Sequence, residues 1–497
     1  MTPLDALRLR TRRLSDAPVD RSADYVLCWL GQALRAEENP VIDAALALGD
    51  ELDLPVVVLH TLENRYPYAS HRVHRFLLEA SQELGPGVEA RGLRFARYVR
   101  QGEPAGDAPG AVDVAGRLAQ RAAAVVTNDV PAFVALEYAE ALARALDGRA
   151  VLAVDAACAV PMNALGRHTP VTKAFRAAHT PLRADHLTLD LRQPSTGFYE
   201  GDLDLPEQAT PDLTDLDDAA LDAFVVGCGV DPTVPPAPGW SGRRSAALER
   251  LAFAVEHVVP RYKWTRNNPA VEDGTTKLSP WLHFGVLSPR EVAAAVLDAE
   301  AEGHVHPAAR WKFFDELLTW REVYHHRARH EPRWARYDGL PDWARATLDA
   351  HAADPRPRLF SLDELAHGET DDEVWNAAQK QFLLDGWMNN NLRMYWGRQL
   401  LKWRPDPRDA FAATCYLNDR FSLDGRNAST YGGIRSGFGE VRPWKERPVY
   451  GTVAGKTAGA LLKRDGVPAW IAEQAARDVP VRAAIPADPP PAFDRYR

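Results

Sequence analysis

Residues 386–403 read "GWMNNNLRMYWGRQLLKW". Three tryptophans, three consecutive asparagines and Arg393 share one expected helix. Asn389, Arg393, Trp396 and Trp403 are offset by 4, 7 and 14 residues. At about 100° per residue they fall within about 80° of one another, and the last two indoles are about 10.5 Å apart along the axis. One face thus carries an amide, a guanidinium and two indoles. A core helix needs no cation on its apolar side, and an inward guanidinium without an anion costs several kcal/mol. Asp424, in "LNDRFSLDGRNASTYGG" (417–433), precedes a glycine as in a turn and is the candidate partner. Arg393 with Asp424 would form a buried ion pair able to contact a polar heteroaromatic ring, and Asn418 offers a further amide.

Two further groups stand upstream. "RYKWTRNNPAVEDGTTKLSPWLHFG" (261–285) clusters Thr275, Thr276, Lys277 and Ser279 before an apolar helix. A helix start offers free backbone N–H groups to a phosphate; the plainer account is an N-cap at Ser279 with Pro280 at the first helical position. In "FFDELLTWREVYHH" (313–326), Glu316 and Trp320 are four residues apart and share a helix face. A carboxyl beside an indole suits a stacked base. Glu322 reads as structural.

The rest of the chain frames these groups. Residues 25–30, 55–62, 93–99, 122–129 and 150–156 are short apolar runs separated by helix-like stretches, the pattern of βαβ units and a parallel sheet. No GxGxxG follows the first run, so a dinucleotide site of that kind is not indicated. Residues 161–215 read as a connector. From 216 the patterns are helical to about 480, and the Pro-rich remainder reads as irregular. The expected domains are 22–160 (α/β), 161–215 (connector) and 216–480 (all-α).

The 497 residues carry 59 Lys and Arg against 68 Asp and Glu, a net charge of −9, which argues against nucleic-acid binding through the overall field. Residues 393–464 hold 14 basic and 6 acidic residues, a local +8 that could form a patch. Twelve of 14 tryptophans follow residue 263, which hints at stacking or redox work in that half. Cys28, Cys158, Cys228 and Cys415 make no CxxC pair, so neither a zinc site nor a disulfide framework is expected, and no metal is assigned. No run spans a bilayer and no secretory signal is read, so a cytoplasmic monomer is expected.

The stretches "LSPWLHFG", "FFDELLTWRE", "WNAAQ", "LRMYWGRQLLKW", "YLNDRFSLDGR" and "WKERPVYG", in that order between Leu278 and Gly451, resemble the photolyase/cryptochrome family, and within it the class II cyclobutane pyrimidine dimer photolyases. The resemblance implies an α/β N-terminal domain with a Rossmann-like parallel sheet and an all-α C-terminal domain holding FAD. It implies that Tyr262, Thr275, Thr276, Lys277 and Ser279 hold the FAD phosphates. Arg393 and Asp424 would flank the isoalloxazine ring, with Asn418 near flavin N5. Trp375, Trp396 and Trp403 match the tryptophans that pass electrons to the photoexcited flavin. Glu316, Trp320 and Met394 match the pocket for a flipped-out dimer, and Arg266 and Asn267 match a pair near the lesion. Arg435, Arg442 and Lys445 are assigned to DNA. The implied activity is that of a deoxyribodipyrimidine photo-lyase on damaged DNA.

The chain also departs from the pattern. "WMNNN" (387–391) stands where the class II sequences have KMHG and an apolar residue. The 431–444 loop is about two residues shorter than theirs and lacks a tryptophan that walls the dimer pocket. FAD binding is therefore better supported than dimer repair. A cryptochrome-like photoreceptor, or a photolyase for another lesion, is the alternative. The first βα turn, with "RAEEN" (35–39), lacks the usual Arg-Asp pair, so an antenna chromophore of deazaflavin or folate type is left open.

Overall fold

A computed structural model describes residues 1–146, 148–206 and 212–490. The five apolar runs form β2 (Tyr25–Leu30), β3 (Val56–Leu62), β4 (Arg94–Val99), β5 (Ala122–Asn128) and β6 (Ala150–Val154). A sixth strand, β1 (Thr11–Arg13), precedes them. The sheet order is β1-β6-β5-β2-β3-β4. β1 pairs antiparallel with β6, and every other pairing is parallel. β2, β3 and β5 are buried along their whole length, as expected of strands covered by helices on both faces.

The expected start of the α/β unit at residue 22 omits β1 and the Pro3–Arg10 helix before it. Arg10 of that helix is fully buried and donates to the carbonyls of Asp155, Cys158 and Ala159. The segment is polar and three residues long as a strand, so period-2 patterning had nothing to register. The stretch read as a connector is also more ordered than expected. It contains the Thr172–His179 and Arg183–Thr188 helices, tied to the helical half through Arg176–Asp315 (2.7 Å) and Arg183–Thr319 (2.7 Å).

The two halves share one apolar core, running from Val26 and Leu46 through Trp281 to Leu317. Buried arginines fasten them. Arg35, in "RAEEN", donates to Gly285 O at 2.6 Å, and Arg72 donates to Phe421 O at 2.7 Å and Phe382 O at 3.3 Å. Glu322 is structural, as read. It accepts the Ala159 and Val160 N–H groups and lies 2.7 Å from His179 Nε2.

The opening stretch is not one helix. A helix over Glu373–Asp385 ends on Gly386, which is left-handed at φ 62°, and a second spans Asn390–Trp403. Asn389 therefore caps the second helix, accepting from Asn391 N, instead of standing on its face. The asparagines satisfy backbone: Asn389 Nδ2 donates to Arg266 O at 3.1 Å and Asn391 Nδ2 to Asn267 O at 2.7 Å. Among the described residues, no helix is long and apolar enough to cross a membrane.

Candidate active site

The helical half encloses a cavity of two adjoining lobes. The inner lobe, about 230 Å³, is lined by Thr275, Thr276, Lys277, Arg393, Trp396 and Thr414 among others. The second lobe, about 390 Å³, is lined by Arg266, Glu316, Trp320 and Tyr324 and reaches exposed Val441. Tyr262, Ser279, Met394 and Asp424 line both. Six stretches from residue 261 to 441 thus converge on one hollow.

The expected ion pair is present. Arg393 Nη1 lies 3.0 Å from Asp424 Oδ1, and both side chains are about nine-tenths buried. Burial alone would raise the Asp424 pKa. The Arg393 charge and hydrogen bonds from Ser422, Ser279 and Arg393 outweigh it and hold the carboxyl below the ordinary range. Arg393 also lies over the Phe382 ring at 5.2 Å.

Ser279 does not cap a helix. The helix there is short, Ser279–Phe284, and Leu278 occupies the capping position without a side-chain bond. The Ser279 hydroxyl is drawn to Asp424 instead, a charge-assisted bond that outcompetes the local cap. Lys277 is left-handed, at φ 57°, a costly conformation for a residue with a Cβ. That turn brings its ammonium 5.8 Å from the Trp387 ring and 3.9 Å from Asp273. Burial lowers the Lys277 pKa and pushes Tyr262 up to about 12.

In the second lobe, Glu316 is already held. Arg266 Nη2 and Lys312 Nζ meet its Oε1 at 2.7 and 2.6 Å. Asp315–Trp320 is a π-helical turn, a feature frequent at functional sites, and Glu316 and Trp320 still share the lobe. Asn267 stands beside Arg266, its Oδ1 accepting from Arg266 Nη1 at 3.1 Å.

Three indoles lead away from the inner lobe. Trp396 lines it. Trp375 stacks on Trp396 with centroids 6.1 Å apart and planes 7° apart, and Trp403 meets Trp375 edge-on at 5.3 Å. Trp396 Nε1 donates to Gln379 Oε1 at 2.9 Å, and Trp375 Nε1 donates to Trp396 O at 3.0 Å. The contact order is thus 396–375–403, which sequence spacing alone does not reveal.

Two expectations are corrected. Arg435 does not face DNA. It is 1% exposed, pairs with Glu440 at 2.8 Å, donates to Trp334 O at 2.6 Å and covers the Trp334 ring at 4.1 Å. Its helix, Ala428–Gly437, turns it inward. Nor is the local +8 a surface patch, because Arg398, Arg404, Arg420, Arg426 and Arg435 are all buried. Arg442 and Lys445 are exposed as expected, with Arg442 over the exposed Trp444 ring at 5.2 Å.

Asn418 is fully buried, one helical turn beyond Thr414 on the Pro407–Phe421 helix. Sequence reasoning missed Tyr324 and Ser429, which line the cavity. Tyr324 follows Trp320 by four residues, so helical spacing could have placed it. Its ring packs against Gly432, where an added Cβ would meet ring carbons at 2.3–2.4 Å. Ser436 lines the second lobe and lies 3.4 Å from the Tyr324 hydroxyl.

A third hollow, about 100 Å³, lies at the carboxyl ends of β2, β3 and β5, where the strand order reverses. Such a crevice is the usual ligand position in an open α/β sheet. Trp29, Thr127 and Tyr138 line it, together with His283 and Arg426 of the helical half.

The family model described as DNA photolyase matches residues 26–195. The chain is 28% identical over 453 residues to a deoxyribodipyrimidine photo-lyase of Methanothermobacter thermautotrophicus, covering 89% of this chain and 93% of that protein. It is 27% identical over 459 residues to the Arabidopsis thaliana protein of the same name, covering 91% and 89%. Among solved structures, a bacterial class III photolyase from Agrobacterium tumefaciens aligns with a TM-score of 0.57 at 19% identity, covering 84% of this chain and 80% of that one. A Synechocystis cryptochrome aligns with a TM-score of 0.62 at 18% identity, covering 86% and 85%. Matched over residues 26–195 by the family model and along nearly its whole length by these relatives, the chain is similar to deoxyribodipyrimidine photo-lyases in sequence and to photolyases and cryptochromes in fold.

Proposed function

We propose that the protein is a light-driven DNA-repair lyase that uses reduced FAD to split cyclobutane pyrimidine dimers. The observation that carries this reading is the single cavity with two differently equipped lobes. The inner lobe suits FAD because polar atoms around it are buried without partners. These include Arg393 Nε and Nη2, Thr275 Oγ1 and Ser429 Oγ. Leaving such atoms unmet costs about 1–3 kcal/mol each, so the lobe is built for a polar occupant. Tyr262, Thr275, Thr276, Lys277 and Ser279 would hold its phosphates, and Arg393, Asp424 and Asn418 its ring. When bound, reduced and excited by light, FAD supplies the electron that opens the cyclobutane ring and then returns.

The chain's own residues position the partners. A dimer flipped from the duplex would enter the second lobe. Glu316 would hydrogen-bond it while Arg266 and Lys312 steady the carboxylate. Trp320, Tyr324 and Met394 would exclude water around it. The contiguous Trp396, Trp375 and Trp403 would carry electrons inward to restore the reduced cofactor. Trp396→Phe is therefore expected to slow photoreduction at least tenfold in transient absorption, while repair by chemically pre-reduced protein falls far less. An equal loss of both would make Trp396 a packing residue only.

Arg442 and Lys445 would meet phosphates of damaged DNA beside Trp444. Each phosphate contact adds about 0.9 to the slope of log affinity against log salt. Replacing both with alanine should flatten that slope by about 2 in fluorescence-anisotropy titrations. The crevice at the strand ends is the place for an antenna chromophore.

The photoreceptor reading is favoured by the second lobe, which Ser436 lines and to which the 431–444 stretch brings no tryptophan. The deciding experiment is blue-light-dependent loss of thymine dimers from an oligonucleotide, using purified, pre-reduced protein beside a dark control. Loss only in the light supports the lyase. No loss from a yellow protein that photoreduces supports the photoreceptor or another lesion.

A further inference from the structure

A fourth hollow, about 520 Å³, is larger than either lobe of the cavity. Lys277 and Trp387 line both it and the inner lobe, so the two spaces meet at this pair. At its far end Gly239, Glu272 and Glu473 are exposed, and the hollow opens to solvent. Arg250, on its wall, donates from Nε to Thr276 O at 2.9 Å and so backs the hydroxyl-rich turn of the inner lobe. Trp240 and Trp281, with centroids 5.1 Å apart, add flat apolar surface. Indoles beside cations suit a nucleotide, whose base stacks while its phosphates are drawn to the charges.

The partition is lightly held. The Lys277 ammonium lies 5.8 Å from the Trp387 ring centroid, and such an attraction is weak where water reaches it. The indole N–H groups of Trp281, Trp375 and Trp396 are each pinned by a hydrogen bond. Among the described residues Trp387 has no such bond. It is half-buried and stands outside regular structure, in the joint between the Glu373–Asp385 and Asn390–Trp403 helices, next to Gly386 at φ 62°. Turning its side chain aside breaks no hydrogen bond and joins the hollow to the lobe.

We propose that this hollow is the port through which FAD enters and leaves the inner lobe, with Trp387 as its gate. This rests on the flavin reading above. The port reaches the lobe beside Thr275, Thr276 and Lys277, so the phosphates come to rest just inside the gate. The mouth of the second lobe stays free for DNA.

The test is the rate of FAD uptake by the apoprotein and of FAD release from the loaded protein. A gate sets both rates and leaves their ratio alone, whereas a binding contact changes mainly release. In Trp387→Ala both rates should rise about tenfold, about 1.4 kcal/mol off the barrier to opening, with Kd held within about threefold. The four native thiols are buried, so Trp387→Cys offers one reactive site. A bulky mixed disulfide there should slow both rates, and a thiol reductant should restore them. Unchanged rates in Trp387→Ala, a change in release alone, or an adduct without effect would each overturn the proposal. If Trp387→Ala does not fold, Trp387→Phe decides: both rates up about threefold is expected, and a change in one alone overturns it. A wild-type protein that takes up no FAD sinks the cofactor reading instead.

Discussion

Arg393→Leu is expected to lose its flavin and to unfold more easily. The substitution leaves Asp424 buried beside the lobe without its cation. Breaking a buried pair from one side costs about 3–5 kcal/mol. At 1.4 kcal/mol per tenfold, that is a factor of about 100 to 1,000 or more. Flavin absorbance per protein and urea denaturation of the apoprotein read the two effects. The double variant Arg393→Leu/Asp424→Asn, with neither charge left, should regain part of the apoprotein stability but not the flavin.

The pH dependence follows from the same pair. Asp424 in the folded protein titrates below its unfolded value. Its contribution is therefore full above about pH 4 and is lost as pH falls through the lower folded value. In Arg393→Leu only the Ser422 and Ser279 hydrogen bonds still oppose burial, so the carboxyl rises relative to the wild type and the stability that the wild type gains as pH rises to about 4 should shrink. Equal urea midpoints for variant and wild type across this range would show that the ion pair carries no weight.

Glu316→Ala is expected to cut light-driven repair while flavin loading is kept, because Glu316 lines the second lobe and not the inner one. A hydrogen bond to a charged group contributes about 1.5–3 kcal/mol, so repair should fall about 10- to 150-fold. The loss should appear in dimer cleavage per absorbed photon and in affinity for dimer-containing DNA. It should be absent from the flavin spectrum. Arg266 and Lys312 would also lose their shared anion, which adds to the weaker hold on the lesion. Unchanged repair would remove Glu316 from the site.

Much of the site is legible in the chain because its cues are local. Burying Arg393 demands an anion, and Asp424 supplies it. Glu316 and Trp320 share a helix face by spacing alone. Other features depend on where a segment turns. Arg435 reads as a free cation in a basic stretch, yet its helix carries it into contact with Glu440 and Trp334. Asn389 reads as a face residue, yet the break at Gly386 makes it a cap.

The sequence by itself determined five of the six strands, within one or two residues at each end, the helical character of the second half, and the ion pair at the cavity. Those follow from periodicity and from the cost of an unpaired charge, which neighbouring residues already express. Only the tertiary structure decided the order of the three indoles, the inward turn of Arg435, and the closing of Arg266 and Lys312 on Glu316. All three depend on contacts between separate segments, whose distances no spacing along the chain encodes.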